Sequence, residues 1–172
     1  AKQGGRFVSA PVFGRPDAAV AAKLFVVAAG SEADLATCRT LFDVIGQRTF
    51  EVGAEPRLAN VVKLCGNFMI MASVEALGES LTLAAKNGVE RSALLEVLTE
   101  TLFGGLVRRN YGKMLVEEKY RPAGFAAPLG LKDMNLVSGV AEASRVPMPL
   151  LGVVRDHLMT AIAREGEDID WA

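Results

Sequence analysis

Apolar positions fall into two textures along this chain. Up to about residue 53 they form short runs of strand length around one helix, and beyond it they recur almost continuously at helical spacing. Arg6-Phe7-Val8-Ser9-Ala10-Pro11-Val12 predicts a strand that ends at Pro11 or just beyond, followed by turn residues at Phe13-Gly14-Arg15-Pro16-Asp17. Leu24-Phe25-Val26-Val27-Ala28-Ala29-Gly30 is an uninterrupted apolar run, the pattern of a strand buried on both faces of a parallel sheet. A helix follows, with Ser31 as N-cap and Asp34 three residues on. Leu35, Cys38, Leu41, Phe42 and Ile45 share one face, and Gly46 closes it. Arg48-Thr49-Phe50-Glu51-Val52-Gly53 predicts another short strand.

The second texture opens with an unusually long helix, Leu58 through Lys86, ending at Asn87-Gly88 with no Pro inside. Val61, Val62, Leu64, Cys65, Phe68, Met69, Met71, Ala72, Leu77, Leu81, Leu83 and Ala84 go most of the way round it. Several neighbours are expected to cover it, as for a central helix. Further helices are predicted at Arg91 to Glu100, Leu106 to Glu118, Leu129 to Ala143 and Leu150 to Glu165. Gly104-Gly105, Arg121-Pro122 and Val146-Pro147-Met148-Pro149 punctuate them. Gly166-Glu167-Asp168-Ile169-Asp170 has the composition of a solvated tail, which leaves Trp171 either to dock on a partner subunit or to be disordered.

The fold class expected is therefore mainly α. Residues 54–172 form an all-α helical bundle domain with a long interdomain helix, and residues 1–53 precede it as a short α/β remnant of a sheet, too small to bury a core alone.

Composition narrows the function. Nineteen Lys plus Arg balance twenty Asp plus Glu, a net charge of -1, which disfavours nucleic acid and anionic membrane surfaces as partners. The longest uncharged stretch in the most apolar region, Leu64 to Val74, is only eleven residues, so no transmembrane helix is expected. The first six residues, Ala1 to Arg6, carry no apolar signal-peptide core and no initiator Met, which suggests a cut N-terminus. Cys38 and Cys65 lack CxxC spacing and the chain has one His, so no zinc or iron–sulfur set is expected. Reduced core thiols in a cytoplasmic protein are the simpler reading. His157, that one His, has no nucleophile or metal partner in the pattern and is expected at the surface or an interface.

Lys63 and Asn67 interrupt the apolar stretch of the long helix. Four residues apart, they sit about 40° apart around its axis. Burying an ammonium and a carboxamide costs several kcal/mol unless each is satisfied, so the pair either faces solvent or lines a site. As a site the pair suits carbonyl reduction: a partly desolvated Lys delivers a proton to a developing alkoxide, an Asn amide holds that oxygen, and a cofactor supplies hydride. Yet the 172 residues contain neither a GxGxxG fingerprint nor a GxxxxGK[ST] loop.

Ser9-Ala10-Pro11-Val12-Phe13-Gly14, then Val52-Gly53, then Asn60-Val61-Val62-Lys63-Leu64-Cys65-Gly66-Asn67, then Leu131-Lys132-Asp133 follow one another in a telling order. In these motifs the chain resembles the β-hydroxyacid dehydrogenases. That group contains 3-hydroxyisobutyrate dehydrogenase, tartronate semialdehyde reductase, glyoxylate/succinic semialdehyde reductases and, more distantly, 6-phosphogluconate dehydrogenase and imine reductases. The resemblance spans the chain but only the later part of the family's length. It implies that residues 1–53 are the C-terminal remnant of a dinucleotide-binding Rossmann domain whose earlier part holds most of an NADP or NAD cofactor. It also implies a small carbonyl or hydroxy-acid substrate and a homodimer or higher homo-oligomer through the helical domain.

By the same resemblance Lys63 matches the catalytic general acid/base and Asn67 the substrate-binding asparagine. Lys132 and Asp133 match a pair near the nicotinamide, and Phe125 matches an aromatic against the substrate. Phe13, Gly14 and Arg15 stand in the substrate-carboxylate loop, which in the family usually reads Pro-Val-Ser-Gly-Gly. Here Phe13 replaces the serine hydroxyl, the Gly14 amide remains, and Arg15 offers a charge-assisted donor. Gly66 takes the place of the first of two asparagines usual around the lysine. A less polar substrate, or an anion held differently, fits these departures. The alternatives are an imine or ketone reductase with an uncharged substrate, and a non-catalytic helical dimerisation module. The 172 residues alone are expected to be inactive.

Overall fold

The computed structural model describes residues 5–172. Of the N-terminal stretch read from the sequence, residues 1–4 lie outside them. The described residues form a mainly α fold with a small sheet: β1 (Val12–Phe13), α1 (Pro16–Val20), β2 (Leu24–Ala28), α2 (Glu32–Ile45), β3 (Gly46–Glu51), α3 (Arg57–Lys86), α4 (Arg91–Glu100), α5 (Leu106–Glu117), α6 (Ala127–Ser144) and α7 (Pro149–Glu165). They divide into two compact units, one up to Gly66 and one from Asn67 on.

In the first unit β2 is central, antiparallel to β1 and parallel to β3. The strand predicted at the start of the chain is present only in part. Its pairing with β2 runs from Ser9↔Ala29 to Phe13↔Phe25, and Pro11, which has no N–H to donate, splits it into an isolated bridge and the short β1. The Pro11 carbonyl still accepts from Val27 N–H at 2.9 Å. Of the turn residues predicted at 13–17, Phe13 ends β1 and Pro16-Asp17 open α1, because Pro16 at the first helical position pre-sets the backbone and needs no N–H partner.

The continuous apolar run of β2 is buried on both faces, as its pattern requires. Val26 and Ala28 pack with Leu35 and Phe42 of α2, whereas Val27 and Ala29 pack with Ala59 of α3. Ser31 Oγ accepts from Asp34 N–H at 3.2 Å and caps α2. Gly46 does not end α2 in the left-handed conformation. Its backbone is extended and opens β3 at once, and a Cβ there would lie 2.8 Å from the Leu24 carbonyl oxygen.

In the second unit α4 packs on α5 and α6 on α7. Gly112 lets α5 approach closely, since a Cβ there would meet Leu95 of α4 at 2.3 Å and Leu77 of α3 at 3.2 Å. Met71, Val74, Leu77 and Leu81 form the buried stripe of α3. The expectation that no helix is long and apolar enough for a bilayer is corrected. By length and composition α3 meets that requirement, because an 18-residue window tolerates the two charges that bound the eleven-residue stretch. Only 22% of that window is buried, chiefly through this stripe, and one such helix by length and composition is weak evidence for a membrane span. The neighbours expected all round α3 are only partly there: Met69 and Leu83 are exposed.

The expected solvated tail is the clearest correction. Trp171 is buried, and its Nε1–H donates to Tyr111 Oη at 2.9 Å. The backbone of Ile169, Asp170 and Trp171 bonds to Ala127, Tyr120 and Phe125. Asp170, 1% exposed, accepts from the N–H groups of Gly124 and Phe125 at 2.8 and 3.1 Å. Ahead of it Arg121 pairs with Asp168, whose carboxyl is held below its usual range chiefly by that bond. The tail therefore staples the loop before α6.

Candidate functional site

Strand alternation in the first unit aims Phe13 at α3. Val12 packs with the α2 side of the sheet, and Phe13, the next residue, packs with Val27, Ala29 and Ala59 on the α3 side. One helical turn after Ala59 comes Lys63, half-buried, with Nζ 4.4 Å from the Phe13 ring centroid. Ser9 Oγ donates to Asn60 Oδ1 at 3.2 Å, so the start of α3 is also tied to the strand by a hydrogen bond that pattern reading did not anticipate.

Gly14 adopts φ +142, a conformation that favours glycine, and a Cβ there would also meet Leu24 Cδ2 at 2.6 Å. Arg15 is the N-cap of α1, and its carbonyl accepts from Ala19 N–H at 3.1 Å. Phe13 and Lys63 are thus brought together, and Gly14 and Arg15 follow directly on the turn into α1.

The second unit gathers Asn67, Asp133 and Lys132. Asn67, 3% exposed, donates through Nδ2 to Asp133 Oδ2 at 2.6 Å, and the other carboxylate oxygen lies 2.6 Å from Lys132 Nζ. A buried carboxylate bonded on both oxygens is held in one orientation. The Lys132 ammonium is exposed and borders an open hollow of about 450 Å³ lined also by Pro128, Leu131, Asn135 and Ile162.

Phe125 lies in the loop before α6. Its ring centroid is 4.5 Å from that of Trp171, and its backbone is bonded to the tail. Trp171, Tyr111 and Asp170 were missed as the residues that hold Phe125. The available signal was the alternation of bulky apolar Ile169 and Trp171, which is strand-like rather than tail-like.

His157 is largely exposed and engaged, with Nδ1 2.8 Å from Glu75 Oε1. The bond to Glu75 raises the imidazole pKa above 6.5, and the Glu75 charge adds to it. A raised folded-state pKa places this contribution to stability below the unfolded value and removes it as pH rises through the folded one. His157→Gln should therefore lower Tm slightly near pH 6 and leave it unchanged near pH 9, as read by thermal denaturation. An equal decrement at both pH values would show that the pair does not act through its charge.

A family model described as "NAD-binding of NADP-dependent 3-hydroxyisobutyrate dehydrogenase" matches residues 58–172. The chain belongs to that family. Membership in the 3-hydroxyisobutyrate dehydrogenase family agrees with the resemblance read from the motifs and with the mainly α architecture.

An uncharacterized oxidoreductase, YfjR, of Bacillus subtilis is 39% identical over all of this chain and 60% of its own length. Glyoxylate/succinic semialdehyde reductase 1 of Arabidopsis thaliana is 29% identical over 99% of the chain and 58% of its own length. The chain thus spans about 60% of the length of these relatives. The crystal structure of 3-hydroxyisobutyrate dehydrogenase from Salmonella typhimurium superposes with a TM-score of 0.87 at 23% identity, over 96% of this chain and 58% of that one, and so shares the fold.

Proposed function

We propose that the complete protein is a nicotinamide-dependent oxidoreductase that interconverts a small aldehyde or keto compound with its alcohol or hydroxy acid, with Lys63 as general acid/base. The observation that carries this reading is the placing of Lys63 in a chain of this family: half-buried on α3, its ammonium over an aromatic face. In reduction Lys63 gives a proton to the carbonyl oxygen, and in oxidation it takes the proton back. Asn67 is the proposed substrate-binding amide, and its bond to Asp133 fixes its orientation.

NAD or NADP, when bound, supplies or accepts the hydride. Lys132 and Asp133 suit one end of such a cofactor, because an exposed ammonium beside an open hollow can meet a carboxamide or phosphate oxygen. The 172 residues have no glycine-rich phosphate loop, so the pyrophosphate is assigned to residues outside this sequence. Phe125, braced by Trp171, is the proposed aromatic wall for substrate. A homodimer through the helical unit is supported by the exposed Leu136 and Val140 of α6 and Leu150 and Val153 of α7. Cys38 is only partly buried and Cys65 is exposed, so the two are not the core thiols expected; two cysteines without CxxC spacing still favour a reducing, cytoplasmic setting.

Phe13 favours a second reading of the substrate, an uncharged ketone or imine, since its ring offers no hydrogen bond to a carboxylate. Paired aldehydes and ketones, with and without a carboxylate, decide between the two with the complete gene product and NADH or NADPH. Turnover that favours the carboxylate partner supports the hydroxy-acid reading and an anion held by Gly14 and Arg15. Preference for the carboxylate-free partner overturns that substrate assignment and retains the reductase.

A further inference from the structure

Three features of the first unit meet at one point. A Cβ at position 66 would lie 2.2 Å from Phe13 Cζ and 2.4 Å from Cε1, so the Phe13 ring occupies the space that any other residue there would need. Glycine inside α3 weakens the helix relative to alanine, and at Gly66, unlike Gly78 with open space beside it, the Phe13 ring supplies a steric reason for it. The same ring has the Lys63 ammonium 4.4 Å from its centroid, inside the range of a cation–π contact. The ring is itself seated by Val27, Ala29, Ala59, Val52 and Leu58.

We propose that Phe13, seated on Gly66, is a positioning residue for Lys63: its face carries the ammonium and so sets where the proton is presented. The inference rests on Lys63 being the general acid/base. A lysine head on a flexible four-carbon stem samples many positions in water. A π face under it narrows that range and shields one side of the ammonium from solvent. Gly66 and Phe13 then form a coupled pair, because any side chain at 66 displaces the ring from beneath Lys63. The ring contributes to catalysis through the lysine and leaves recognition of a substrate anion to other groups.

The complete gene product tests this with two readouts, steady-state kinetics and the Cε–Hε NMR resonances of Lys63, assigned by their loss in Lys63→Ala. Phe13→Leu keeps apolar bulk without a π face and should lower kcat about tenfold with little change in KM, whereas Phe13→Tyr should stay within about twofold of wild type. The Lys63 resonances, shifted upfield by the ring, should move downfield in Phe13→Leu and stay in place in Phe13→Tyr. Gly66→Ala should reproduce both effects of Phe13→Leu and add nothing when combined with it. Wild-type kcat in Phe13→Leu with displaced Lys63 resonances overturns the positioning role while leaving Lys63 its proton. Unmoved resonances in Phe13→Leu overturn the contact itself. Full activity in Lys63→Ala would instead overturn the general acid/base reading on which this proposal rests.

Discussion

Replacing Lys63 by Ala in the complete gene product is expected to lower kcat for carbonyl reduction by about 10²- to 10⁴-fold, the usual contribution of a positioned general acid. Binding of substrate and cofactor does not depend on that proton, so KM should move far less than kcat. The fold should survive. Lys63 is only half-buried and its ammonium sits at the edge of the first unit's core, so truncation removes a contact without opening a large cavity. Losing the cation–π contact costs about 0.5–2 kcal/mol. Lys63→Arg should not restore the rate, because a guanidinium keeps its charge and geometry where an ammonium releases a proton. A helical association module without catalysis predicts the opposite: a small change in stability and no rate to lose.

The second large effect is on stability. Trp171→Ala should destabilise the second unit by about 3–5 kcal/mol, as for other buried aromatic truncations. The indole covers Gly130, where a Cβ would come within 2.8 Å of it, and packs against Phe125 with the two rings tilted by 56°. It also supplies the hydrogen bond to Tyr111, whose hydroxyl would be left without that donor. Trp171→Phe should recover most of the packing and lose about 0.5–1.5 kcal/mol for the missing N–H. Urea denaturation followed by circular dichroism measures both. A loss below about 1 kcal/mol for Trp171→Ala would show that the tail is dispensable, and with it the bracing of Phe125.

How much of this was legible in the sequence depends on what each element rests on. The helices from α3 to α7 follow from periodicity and from Gly and Pro punctuation, which are local signals, and their observed ends fall within two residues of those expected. β2 was legible because burial on both faces needs an unbroken apolar run. β1 was less so, since one proline removes the ladder bond that would have carried it as a single strand. The tail was only weakly legible, through the alternation of Ile169 and Trp171. Asp168 and Asp170 look solvated until the N–H groups of Gly124 and Phe125, more than forty residues away in sequence, are found to bond the second of them.

The candidate site divides in the same way. Lys63 and Asn67 stood out as polar interruptions of an apolar helix, and Lys132 and Asp133 entered only through a family resemblance. The bond between Asn67 and Asp133 joins residues far apart in sequence and is visible only in three dimensions. Gly66 and Phe13 were each noted as departures from a motif. Their relation is steric, a ring filling the place of a missing Cβ, and no one-dimensional pattern records it.

Chemical rescue tests the central claim, that Lys63 transfers the proton, most directly. With Lys63→Ala of the complete gene product, reduced nicotinamide and the best carbonyl substrate, the oxidation rate is followed as small primary amines of increasing size are added. The rate should rise in proportion to the concentration of the protonated amine, most for the amine that best fits the space of the missing side chain, while wild type stays unaffected. A folded variant that oxidises nicotinamide at the wild-type rate without any amine would contradict the account.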